Sequence, residues 1–451
     1  MSILPFDSAF LGPLLSDAEL AGLLDDRAQL RAMLDFEAAL ARAEGRVGVI
    51  PAAAAERISE VAGSLEIDPA SLAEGTARDG IPVPALVACL RKAVGGEEAA
   101  YVHWGATTQD VMDSGLVLRL KRILDILEER LGDLGDTLAD LADAERATVM
   151  LARTRGQQAT PTSFGLKVAG WLAPLDRHLD RLYEFEDRFG VLSFGGAAGN
   201  LSALGVDGPA VEAVLAEELE LAVPLLPWHS QRDCLVELAN WLGLVSGSLG
   251  KMAGDIMLLC QNEVGELREG DFDGQPGGGS STLPQKQNPV RSEAVLSLTR
   301  HVAGLAGPMQ LTAFHTHERD GVAWQLEWLT LPQMVVATGA ALAQSLALIG
   351  GLKVDRERMR VNIEATNGLA LAEAASFALS RHLPRPEAQA LVKQACHDAL
   401  DQGRSLIALL QERCDARLDS PGVDWHALAD PAHHIGCADT FIDRVLQARG
   451  E

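Results

Sequence analysis

Apolar positions recur through the middle of this chain at alternating spacings of three and four. Leu120, Ile123, Leu127, Leu131, Leu134, Leu138 and Leu141 form one series, inside a stretch from Pro84 to Pro161 with no internal proline. Leu235, Leu238, Leu242, Val245, Leu249, Met252, Ile256 and Leu259 form a second, which predicts a helix over 232–269. Such spacing puts the apolar side chains on one stripe, the seam of a coiled-coil-like bundle. Segments 161–189 (with a kink at Pro174), 290–307 and 310–350 supply further helices. Helices of roughly 30 to 40 residues exceed the globular mean, and only an elongated bundle buries their stripes along the whole length. The expected fold is all-α: an elongated central bundle of about five long helices over 107–352, flanked by smaller helical domains at 1–106 and 353–451.

The flanks have a different rhythm. Before residue 105, Pro51, Pro69, Pro82 and Pro84 break the chain into short helices, with one amphipathic helix over 27–48 carrying Leu30, Met33, Leu34, Glu37 and Leu40. After Lys353, turns are expected at 383–386 and at Ser420-Pro421-Gly422, and a closing helix over 439–448.

Composition agrees with helices: 47% of the 451 residues are hydrophobic and only 4% aromatic. A net charge of −25 argues against nucleic acid and anionic membranes as partners, so an anionic substrate requires a local cationic pocket. The six cysteines are scattered without a CxxC pair, as expected of thiols in a reducing cytosol. The stretch 329–352 carries no charge, but its Pro332, Gln333, Thr338, Gln344 and Ser345 suit a buried helix better than a membrane span. The N-terminal MSILPFDSAF has neither a basic start nor an apolar core of signal-peptide length, and a cytoplasmic protein is expected.

Three polar segments interrupt the bundle pattern. Residues 103–110, HWGATTQD, precede the first long helix, where Thr and Asp suit a helix cap and the helix N-terminus suits a carboxylate. Residues 152–165, ARTRGQQATPTSFG, place Arg153, Arg155, Gln157 and Gln158 in a turn beside a bundle end. Residues 277–291, GGGSSTLPQKQNPVR, bring a hydroxyl, an ammonium and a carboxamide close together after three glycines. Each reads equally as a solvated loop or cap when taken alone. His229 opens the second long helix and reads as a cap or as part of a site. His315 and His317, two apart on an expected helix, would face different sides and make a poor metal pair. The glycines of the serine loop lack the order of a phosphate-binding loop.

Taken together the three segments carry a resemblance. Residues 279–289, GSSTLPQKQNP, resemble the GSSxMPxKxNP signature of the fumarase/aspartase superfamily, with Leu283 where methionine is usual. HWGATTQD and ARTRGQQATPTSFG are similar to its two other signature regions, in the same order. The segments 103–115, 194–205, 227–233, 261–266 and 317–328, with the DPAHHIG and FIDRVL pieces near the end, resemble the cycloisomerase branch of that superfamily. The likeness runs from about residue 27 to 446.

The resemblance implies a homotetramer whose active sites draw the three segments from different subunits, with no metal or organic cofactor. It implies catalytic roles for Ser280, Lys286 and Asn288, and substrate-binding roles for His103, Thr107, Thr108, Gln109, Thr154, Arg155, Gln158, His229 and Arg291. The implied substrate is a small unsaturated tricarboxylate, a carboxylated muconate, which closes to a lactone. One departure bears on the chemistry. Nitrogen lyases of the superfamily read Thr-His at the second segment, with the histidine as general acid, whereas this chain reads Thr154-Arg155. Expelling an amine needs a proton, and a general acid contributes about 10²–10⁴-fold there. A substrate carboxylate needs none, and an arginine can hold another carboxylate bidentately. The alternatives are an adenylosuccinate-lyase-like enzyme, a cycloisomerase for another substituted muconate, and a non-catalytic scaffold.

Overall fold

A computed structural model describes residues 4–271, 274–275, 277–415 and 422–450. Five helices between residues 108 and 350 run 22 to 37 residues each: Thr108–Ala144, Phe164–Phe189, Asp233–Leu259, Val290–Leu311 and Gly321–Gly350. Their seams are buried as the spacing predicts. From Leu120 to Leu138 the first series is at most 1% exposed, and every member of the second from Leu235 to Leu259 is buried. A fully buried leucine contributes roughly 1.5–3 kcal/mol, so these stripes dominate the stability of the helices. The fold is all-α in class, as expected, with small two-stranded ribbons added.

The chain divides into two compact units. One comprises Met1–Leu131, His178–Gly247 and Ser297–Ala343; the other comprises Gly132–Arg177, Ser248–Leu296 and Gln344–Glu451. The first contains the amphipathic helix Asp26–Val47, capped by the Asp25 carboxylate at its start and by Gly48 in the left-handed region at its end. The second holds a separate C-terminal core of Leu371, Ala375, Leu379, Val392, Leu406 and Leu410, packed by helices such as Arg385–Gln402. The closing helix spans Ala438–Gly450. Of the expected turn at Ser420-Pro421-Gly422, the first two residues lie outside the described residues.

Four expectations are corrected. The helix expected over 232–269 stops at Leu259: Gly265 takes a left-handed φ of 63° and the Glu266 N–H turns back to the Leu259 carbonyl. The helix expected from Pro161 begins at Phe164, where the Ser163 hydroxyl accepts the Leu166 N–H as a cap. Residues 152–163 are not a loop but most of an antiparallel hairpin, β1 (Val149–Thr154) and β2 (Gln157–Ser163). The helix expected over 310–350 is interrupted. Residues 312–320 link two helices, and Asp320 caps the second by accepting the Val322 and Ala323 N–H groups. His315 and His317 therefore sit in a connection, and the helix-face argument does not apply to them.

Candidate active site

In the first unit the start of the Thr108–Ala144 helix is an organised polar centre. Asp110 is fully buried and its carboxylate receives four donors: the N–H groups of Thr107 (2.9 Å), Gly195 (2.8 Å) and Gly196 (3.0 Å), and His229 Nε2 (2.6 Å). A carboxylate only accepts, so His229 carries its proton on Nε2. One carboxylate thus ties the helix start to the glycine turn at 195–196 and to His229. Gly105 is required there, since a Cβ would approach the Leu204 side chain to 2.7 Å.

Gln109 is also fully buried. Its Nε2 donates to Asp113 Oδ2 (3.0 Å) and to the His229 carbonyl (2.8 Å), and its Oε1 accepts from Arg319 Nε (3.0 Å). The amide is fully occupied, and what it presents outward is the exposed Arg319 guanidinium. Behind Gln109, the buried Arg232 is forked between Asp113 (2.6 and 3.1 Å) and Glu327 (2.7 and 2.6 Å). His103 has a positive φ of 63° and its Nδ1 lies 2.6 Å from Glu37 Oε1. Burial alone would lower the His103 pKa, but the Glu37 carboxylate, with Asp110 beyond it, outweighs that and the pKa is raised. Thr107, Thr108, Gln109, His103 and His229 are therefore gathered by the fold around one helix N-terminus.

In the second unit the hairpin and the serine loop carry the remaining predicted residues. β1 and β2 are joined by Arg155 and Gly156, both at positive φ (53° and 79°), with Thr154 paired to Gln157. Positive φ at both central residues is the type I′ turn that matches strand twist. Arg153 is locked to the buried Glu266 by two bonds of 2.8 and 2.6 Å, and Asn362 donates to the same carboxylate at 2.8 Å. Thr154, Arg155 and Gln158 are exposed, and the Arg155 guanidinium makes no hydrogen bond or ion pair among the described residues.

The serine loop is closed on itself. Gly278, at φ 72°, accepts both the Asn288 N–H (2.8 Å) and its Nδ2 (3.0 Å), and a Cβ there would collide with the Asn288 carbonyl. Ser280 Oγ accepts the N–H groups of Thr282 (3.3 Å) and Leu283 (3.1 Å). Those two donors favour negative charge on the hydroxyl oxygen, the form a serine base must take. Lys286 is exposed in the same turn. The loop exit is fixed by Glu269, whose carboxylate accepts the Arg291 and Ser292 N–H groups at the start of Val290–Leu311 (3.0 and 2.8 Å). Arg291 itself donates to Gln344 Oε1 at 2.9 Å. Asn288 thus serves the closure of the loop, while Ser280 and Lys286 stand at its surface.

The sequence pattern placed neither Arg319 nor Glu37 at the site and gave Asp110 a helix-cap role alone. Arg319 lies in the segment 317–328, but nothing local tells that it meets a residue 210 positions earlier.

Residues 17–304 match the family described as "Lyase", and residues 368–445 that described as "Adenylosuccinate lyase C-terminus". The chain belongs to this family of enzymes, within the fumarase/aspartase superfamily. It is 45% identical to the 3-carboxy-cis,cis-muconate cycloisomerase of Pseudomonas aeruginosa, over 98% of this chain and 95% of that protein. The crystal structure of 3-carboxy-cis,cis-muconate lactonizing enzyme from Pseudomonas putida matches with a TM-score of 0.92 and 40% identity, covering 98% of this chain and 99% of that one. That of beta-carboxy-cis,cis-muconate cycloisomerase from Acinetobacter calcoaceticus sp. ADP1 matches at 0.90 with 32% identity, covering 97% and 100%.

Proposed function

We propose that this chain interconverts 3-carboxy-cis,cis-muconate and its carboxymuconolactone, a step of protocatechuate catabolism. The observation that carries the reading is Arg155, without a side-chain partner among the described residues, at the tip of a hairpin held by the Arg153–Glu266 pair. A free planar guanidinium suits a carboxylate of the substrate, and it stands where an amine-eliminating enzyme of the superfamily carries its acid.

In this reading a substrate carboxylate adds to the neighbouring double bond, its tether supplying proximity. Charge grows on the far carboxylate, where Lys286 and loop N–H groups stabilise it. Ser280 delivers the proton to the carbon α to that carboxylate, and removes it in reverse; its two backbone donors favour the alkoxide this requires. Asn288 keeps the loop in register through Gly278. Thr107, Thr108, Thr154, Arg155 and Gln158 position the other carboxylates, and Gln109 acts through Arg319. His103, His229 and Arg291 border the site.

A homotetramer with sites shared between subunits belongs to the same proposal. Its support is apolar surface on the long helices: Leu244, Leu258, Leu311 and Leu329 are 50–67% exposed. Asp233–Leu259 and Gly321–Gly350 are long and apolar enough to cross a membrane, with 44% and 67% of their most apolar windows buried. Packing against further copies of the chain, in the cytoplasm, accounts for both. The three-part division at 106/107 and 352/353 is retained within this reading, the C-terminal core standing for its last part.

The test is loss of the conjugated-diene ultraviolet absorbance of 3-carboxymuconate with purified protein, beside adenylosuccinate as control. Turnover of the muconate alone is expected. No change with the muconate overturns the assignment.

A further inference from the structure

The first unit contains two deeply buried arginines in opposite circumstances. Arg232 is paired with two carboxylates, more than its own charge. Arg119, 8% exposed, meets only the carbonyls of Gly115 (3.1 Å) and Leu23 (3.5 Å), and no carboxylate lies within ion-pair distance of it among the described residues. Burial depresses its pKa to about 10 against a partial offset from the more distant Asp25, so it remains charged at neutral pH with no carboxylate in contact among the described residues. A buried cation in that state gains strongly from any anion that reaches it.

Arg119 lines a cavity of about 600 Å³, within the range of small-molecule sites. The walls are apolar and aromatic: Leu30, Met33, Met112, and the Trp324–Trp328 pair, whose rings lie 5.0 Å apart edge to face. The other charged groups on the wall are Asp113 and Glu327, both held by Arg232, and Asp26. The cavity thus pairs one uncompensated cation with flat apolar surface. Arg119 takes no part in the reaction proposed above, and the cavity borders that site through Asp113 and Glu327, which lie behind Gln109.

We propose that this cavity is a separate binding site for a small monocarboxylate with a flat apolar body, its carboxylate on Arg119 and its body between Met33 and the two tryptophans. One cation faces Asp26 across the cavity, so a single carboxylate is matched here and the further charges of a di- or tricarboxylate are not, which separates this site's ligand from the tricarboxylate substrate.

Benzoate is the probe, titrated by calorimetry into the full-length protein at pH 7. One saturating benzoate per chain is expected, with benzamide, its neutral counterpart, at least about tenfold weaker. Arg119→Met is expected to weaken benzoate by a similar factor, while Arg155→Ala leaves it unchanged. Should Arg119→Met fail to fold, Ala77→Trp, on an exposed wall of the same cavity, fills the space with Arg119 in place and is expected to abolish binding. The proposal is overturned by any of four results: no saturable binding in the millimolar range, benzamide binding as well as benzoate, indifference to these cavity variants, or loss in Arg155→Ala. The last would place benzoate in the catalytic site.

Discussion

Arg153 and Arg155 stand two residues apart on one hairpin, two like cations of which one is ion-paired with a buried carboxylate. Arg153 is clamped to the buried Glu266, while Arg155 projects from a left-handed turn with no partner among the described residues. One arginine builds the hairpin, and the other is the one proposed to hold a substrate carboxylate.

Their variants should separate accordingly. Arg153→Ala strands Glu266, which is fully buried, and removing one partner of such a pair costs about 3–5 kcal/mol. A marked fall in melting temperature is expected. Arg155→Ala should leave melting unchanged and lower kcat/KM for the muconate about 10- to 100-fold, the value of one charge-assisted bidentate contact. Calorimetry and steady-state kinetics on both proteins decide this; equal destabilisation by the two variants would remove the distinction.

Ser280→Ala should abolish most turnover, about 10²–10⁴-fold in kcat, with melting temperature and oligomeric state preserved. Ser280 is half-buried and, among the described residues, its hydroxyl bonds only to the backbone of its own turn, so little packing is lost. Activity near that of the parent protein would refute the role of serine as the proton carrier.

The long helices were readable because burial selects leucines every third and fourth residue, and Leu120 to Leu138 and Leu235 to Leu259 keep that rhythm. Their ends were less readable. Val264 continues the apolar pattern, but the chain has already left the helix there: Gly265 is left-handed, Arg358 and Asn362 take the Val264 carbonyl, and Arg153 holds Glu266. The hairpin escaped notice because its turn uses arginine at a positive φ, where asparagine or glycine is the usual signal. Candidate site residues that lie on contiguous motifs were named in advance. Those that depend on distant meetings, such as Arg319 with Gln109 or Glu37 with His103, carry no local signature.

Asp110→Asn replaces an acceptor of four donors by a group with one acceptor atom and an NH₂ that must face an existing N–H. Leaving buried donors unsatisfied costs about 1–3 kcal/mol each. The variant should melt several degrees lower and lose activity, since the Thr107 and His229 positions both depend on this carboxylate. An unchanged melting temperature would show that the glycine turn at 195–196 finds other partners.

Glu44 lies on the Asp26–Val47 helix, 1% exposed, with its Oε1 unbonded among the described residues. Burial, reinforced by Glu37 on the same helix, pushes its pKa up to about 9. The sign of the effect follows from proton binding. Below pH 4.5 the carboxyl is protonated whether the chain is folded or not, and nothing is lost. Between pH 4.5 and 9 the unfolded chain releases the proton while the folded chain retains it, so stability falls as pH rises and levels off above pH 9. At pH 7, 2.5 units above the ordinary value of 4.5, the penalty is at most about 3.4 kcal/mol, at 1.36 kcal/mol per unit. Glu44→Gln removes the titration, so the variant should melt higher than the parent protein at pH 8 and much closer to it at pH 5. Scanning calorimetry at the two pH values measures the difference directly. A gain independent of pH would mean that Glu44 is ionised in the folded chain, with its charge compensated from elsewhere.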